Sequence, residues 1–93
     1  KKMESFEIIS LRTSGSHQQM AHKYMKKICK LVKKHNSCNA NFYIHDSISG
    51  DLAIIISSNS KDKKLMGTET GIYITDVLKQ FGLVDHNCWL LVE

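Results

Sequence analysis

His86 and Cys88 stand two residues apart in HNCWLLV, residues 86–92, a run apolar enough to be a strand. An imidazole and a thiol would then share one face, as two metal ligands do. Two ligands do not close a site, and no third or fourth follows at motif spacing, so no metal is expected and Cys88 reads as core packing. Tyr43 and His45 also share a strand face. There a phenol hydroxyl or an imidazole could orient or deprotonate a phenolic ligand, although such a face more often looks into solvent or an interface. Trp89, the only tryptophan, could line a cavity for another aromatic, while filling the core is the commoner role of that residue. Tyr43, His45, His86 and Trp89 are therefore the candidates for a ligand pocket, with none assigned as catalytic.

Other chemistries find less support. A Cys-His nucleophilic pair meets in space rather than in sequence, and no spacing here marks one. There is no G-x-S-x-G elbow, Walker loop or dinucleotide fingerprint. Ser14-Gly15-Ser16 and Gly67-Thr68-Glu69-Thr70-Gly71 could each offer backbone N–H groups to an anion, but both read as ordinary helix caps.

Six of the 13 basic residues lie between Lys23 and Lys34. Such a row could meet phosphates, but it is also what an amphipathic helix turns to water. No aromatics interleave it, and the apolar strand LAIIIS lacks the stacking side chains of an RNA-binding sheet, so nucleic acid is not the expected partner.

Ninety-three residues allow one domain, 1–93, and no second core. An apolar fraction of 42% and a charged fraction of 24% exclude a disordered composition and predict a modest core. No apolar run approaches the roughly 20 residues of a membrane span, and no signal-peptide pattern is present, so the expected location is cytoplasmic. The first residue is Lys1, so either residues precede it or Met3 is the natural start. Cys29, Cys38 and Cys88 are odd in number and lack CxxC spacing, which argues against disulfides and structural zinc.

The elements that must position these residues follow from periodicity. ESFEIISLRT, residues 4–13, is rich in β-branched and aromatic residues and reads as a first strand. Ser16 and Gln19 have capping-box spacing, so a helix is predicted from there. Its apolar arc holds Met20, Ala21, Tyr24, Met25, Ile28, Leu31, Val32 and His35, with Ile28 near the centre and the lysines opposite. Residues 39–45 alternate as a half-buried edge strand, and Asp46 to Asp51 form a turn. LAIIIS, residues 52–57, is apolar on both faces and reads as a central strand. Asn59 to Lys64 reads as a loop. A second helix then carries Thr70, Ile74, Val77, Leu78 and Phe81 on one arc, with Gly82 as its cap, although Gly71 weakens it. A last strand is predicted over 86–92.

The order βαββαβ is that of the ferredoxin-like α+β domains, a four-stranded antiparallel sheet with two helices on one face. Leu52, Ile54 and Ile56 point one way and Ala53 and Ile55 the other, while Phe6 and Ile8 oppose Ile9 and Leu11. Each sheet face is thus apolar at its centre, which predicts a homodimer through the face without helices.

This element order, together with Asp76-Val77-Leu78-Lys79-Gln80-Phe81-Gly82-Leu83-Val84-Asp85-His86-Asn87-Cys88-Trp89, resembles the antibiotic biosynthesis monooxygenase-like proteins, small dimeric α+β barrels. The resemblance implies a sheet-to-sheet homodimer with a hydrophobic cavity between each sheet and its helices. It also implies a small aromatic ligand such as a phenol or quinol, oxidised by dioxygen with no cofactor, and it nominates His86 and Trp89. An asparagine, tryptophan and histidine constellation of the haem-degrading relatives is not found. The chain is therefore expected to be such an enzyme or its inactive relative; the alternative is a non-enzymatic small-molecule-binding or protein-interaction module on the same frame.

Overall fold

The computed structural model describes residues 3–35, 39–60 and 69–92. Six elements follow one another as β1 (Met3–Arg12), α1 (His17–His35), β2 (Asn39–Ile44), β3 (Asp51–Ser60), α2 (Glu69–Leu78) and β4 (Leu83–Leu90). The strands form one four-stranded sheet in the order β2-β3-β1-β4, antiparallel throughout, with Ile9 opposite both Ile54 and His86. This is the expected ferredoxin-like βαββαβ fold. No helix among the described residues is long and apolar enough to cross a membrane.

Strand alternation decides what is buried. Ile9 and Leu11 on β1, Ala40 on β2 and Leu52, Ile54 and Ile56 on β3 all face the helices and are buried. α1 lies over β2 and β3, and α2 over β1 and β4. Ala21, Met25, Cys29 and Val32 from α1 join Ile74 and Leu78 from α2, with Phe81 beyond its end, in the same core. Burial pushes the Cys29 thiol pKa up, as suits a packing cysteine.

Several boundaries differ from the sequence reading for local reasons. Met20 is 64% exposed and Leu31 43% exposed, while Ile28 is only half-buried. The buried stripe runs instead through Ala21, Met25, Cys29 and Val32, four- and three-residue steps that rotate the packing centre away from Ile28. β4 starts at Leu83 rather than His86, because β1 supplies ladder partners as far as Arg12, which pairs with Leu83. β3 continues to Ser60 because β1 still pairs with it there, so Asn59 and Ser60 belong to the strand and not to the expected loop; residues 61–68 lie outside the described residues. α2 ends at Leu78, and Gly82 does not take the left-handed backbone of a cap. A Cβ at Gly82 would stand 2.1 Å from the Arg12 carbonyl oxygen, so glycine serves a close approach between chain segments.

The sheet face away from the helices is open. Phe6, Tyr43, Leu83 and Trp89 are exposed on it at 41%, 48%, 76% and 56%, with Ile8, Ala53 and Ile55 half-buried between them.

Candidate functional site

The buried charge-bearing residue of the inner face is Glu7, 5% exposed. It shares parity with Ile9 and Leu11, so the fold sends its carboxylate into the core below α2. Antiparallel pairing places Cys88 directly opposite Glu7 on β4, and His86 one inward position along. The His86 Nε2 to Glu7 Oε2 distance is 2.7 Å, with the two side chains 16% and 6% exposed. With Glu7 ionised, Nε2–H donates to the carboxylate, leaving Nδ1 as the ring's acceptor. Cys88 Sγ lies 3.8 Å from the same Nε2. Burial, and then the Glu7 charge, push the Cys88 thiol pKa up, so it is no activated nucleophile. A Cys-His-Glu relay is excluded by the same geometry, since it needs thiol and carboxylate at opposite ring nitrogens and here both are at one.

Gly71 explains how a carboxylate fits under a helix. A Cβ there would stand 2.1 Å from Glu7 Oε2 and 2.9 Å from its Cδ. The glycine that weakens α2 as a helix lets the backbone close over Glu7. Thr75 donates from Oγ1 to the Gly71 carbonyl at 2.7 Å, within the same turn.

His86 also lines a cleft of about 420 Å³ along α2, with Glu69, Ile72, Tyr73, Thr75, Asp76 and Lys79. Tyr43 and His45 belong elsewhere. They line a depression of about 520 Å³ on the open face, with Arg12, Asp51, Leu83 and Asp85 nearby. His45 follows the end of β2, and its Nδ1 accepts from the backbone N–H groups of Ser47 and Ile48, both at 3.0 Å, so it closes the β2–β3 turn. Trp89 lies on the open face, stacked on its cross-strand partner Phe6 with ring centroids 6.5 Å apart. The four sequence candidates thus divide between two faces, and His86 alone reaches the helix side.

Glu7 escaped the sequence reading. Its signal was parity, a carboxylate in step with Ile9 and Leu11 on an apolar strand face.

Searches against protein-family models and against curated proteins find no match. Solved structures do match. A Bacteroides thetaiotaomicron VPI-5482 protein, described as a conserved protein of unknown function and possible oxidoreductase, superposes with TM-score 0.65 at 8% identity. The match covers 96% of this chain and 97% of that one. An antibiotic biosynthesis monooxygenase gives TM-score 0.65 at 10% identity, covering 96% and 97% of the two chains. The chain has the antibiotic biosynthesis monooxygenase fold. A Mycobacterium tuberculosis protein also matches, with TM-score 0.65 at 7% identity over 97% of this chain and 94% of its own. At such identities the likeness is one of backbone, and the side chains of the site must be argued for themselves.

Proposed function

We propose that the chain binds a small phenolic compound in the cleft along α2 and acts on it as a cofactor-independent, monooxygenase-like oxidoreductase. The observation that carries this reading is the 2.7 Å hydrogen bond between His86 and buried Glu7, with the imidazole lining the cleft. Held by the carboxylate, the ring has one acceptor, Nδ1, and Glu7 offsets the charge formed when that nitrogen takes the phenol proton. The phenolate is then electron-rich enough to reduce dioxygen. One oxygen atom enters the ring at a free para position to give a quinone, and the other leaves as water with two substrate hydrogens. The balance needs no outside reductant. Ile72 and Tyr73 supply apolar and aromatic wall to the cleft.

The test is dioxygen uptake with a panel of para-unsubstituted naphthols. Uptake by the wild type that falls at least about 100-fold in His86→Gln supports the reading. No uptake, or equal uptake by both proteins, removes it.

The open sheet face is the proposed self-association surface. Phe6, Tyr43, Leu83 and Trp89 are exposed there, with Ile8 and Ile55 half-buried between them, and exposed apolar side chains on one face mark an interaction surface. A two-fold partner presenting the same patch would cover it.

A further inference from the structure

We propose that Glu7, His86 and Cys88 form a binding site for a zinc-class divalent ion, with three protein ligands and a fourth position left for water or a ligand atom. Their donor atoms, one carboxylate oxygen, one imidazole nitrogen and one sulfur, all lie within 4.8 Å of one another. A tetrahedral ion, bonded at about 2.0 Å to nitrogen and oxygen and about 2.3 Å to sulfur, sets N and O about 3.3 Å apart and N and S about 3.5 Å apart. Against the observed 2.7 Å and 3.8 Å, Glu7 must withdraw slightly and Cys88 must close slightly. The Glu7 oxygen and the Cys88 sulfur, within 4.8 Å of each other, must also come to about 3.5 Å.

The three groups converge on one point because of the sheet itself. Cys88 and Glu7 are cross-strand partners, and His86 is two residues before Cys88 on the same face. Ladder hydrogen bonds of β1 and β4 fix the three Cα positions before any ion arrives, so little ordering is left for binding to accomplish. Gly71 keeps room for the carboxylate head that a Cβ would displace. Mixed N, S and O donors suit a borderline ion such as zinc better than magnesium or calcium, which take oxygen. Of the three ligands, His86 is 16% exposed and lines the cleft along α2.

The inference stands on these atoms and not on the phenol reading. Ion and proton compete for Nε2, so an ion-loaded protein would lose the Glu7–His86 hydrogen bond.

Cobalt(II) is the probe. Titrated into the reduced full chain, it should give one equivalent of a near-ultraviolet thiolate-to-cobalt band together with strong visible tetrahedral bands, and zinc(II) should displace both. Cys88→Ser should lose the near-ultraviolet band. Glu7→Gln should keep that band while binding at least about 10-fold more weakly. Cys29→Ser, which removes a thiol of α1 outside the site, should keep the band. Absence of the band in the wild type, or its persistence in Cys88→Ser, overturns the proposal. So does equal affinity in Glu7→Gln. If Cys88→Ser fails to fold, Glu7→Gln and zinc calorimetry on the wild type decide in the same way.

Discussion

Glu7 and His86 meet at 2.7 Å across two neighbouring strands, on the sheet face that packs against the helices. A charged hydrogen bond of this kind contributes about 1.5–3 kcal/mol, and removing one partner leaves the other desolvated. Glu7→Ala should therefore destabilise by about that amount in urea unfolding, and Glu7→Gln by less, since the amide oxygen can still accept from Nε2–H. Gly71→Ala gains about 1 kcal/mol of helix propensity yet drives its methyl into Glu7. It should be destabilising alone and neutral or stabilising in the Glu7→Ala background. Additive effects of the two substitutions would show that the contact does not matter.

Ile54 is fully buried at the centre of β3, whereas Ile28 is half-buried on α1. Ile54→Ala should cost roughly 2–5 kcal/mol and Ile28→Ala clearly less. The opposite ranking in denaturant unfolding would put the packing centre of α1 back at Ile28.

That contrast shows what the sequence made legible. Strand period is two, so one apolar assignment orients a whole strand, and LAIIIS and FEIISL gave both faces of the sheet centre correctly. A helical arc of seven apolar residues is wide, and which part of it meets the sheet depends on how the helix is rotated over β2 and β3, a tertiary quantity. The candidate site was half legible. His86 and Cys88 share a face by local spacing, but Glu7 is 79 residues from His86 and joins it only through strand register. Trp89 was weighed toward the core because tryptophan usually fills one, yet its parity beside Cys88 puts it on the open face.

Arg12 pairs with Asp51 through two hydrogen bonds, of 3.0 and 3.2 Å, between directly paired positions of β1 and β3. The hydrogen bond from Arg12 is the first cause that holds the Asp51 carboxyl below its usual pKa. A depressed folded-state pKa stabilises above the unfolded-state value and is lost as pH falls through the folded one. The thermal midpoint of Asp51→Asn should lie below that of the wild type near neutrality, and the gap should close on acidification below about pH 4. A gap independent of pH would mean that the pair contributes nothing through ionisation.

The exposed stack of Phe6 on Trp89 carries the self-association reading. Sedimentation equilibrium at micromolar concentration should give a dimer, and Ile55→Lys, in the middle of the open face, should give a monomer with unchanged far-ultraviolet circular dichroism. A wild-type monomer with no tendency to associate would remove this reading.

Backbone amide shifts during titration with 1-naphthol test the account's central claim most directly, because they report where a phenol sits whether or not it is oxidised. The cleft reading predicts saturable changes at His86, Ile72, Tyr73 and Lys79, weakened in His86→Gln, with Trp89 on the far face little affected. Changes confined to Tyr43, Leu83 and Trp89, or none at millimolar naphthol, would contradict it.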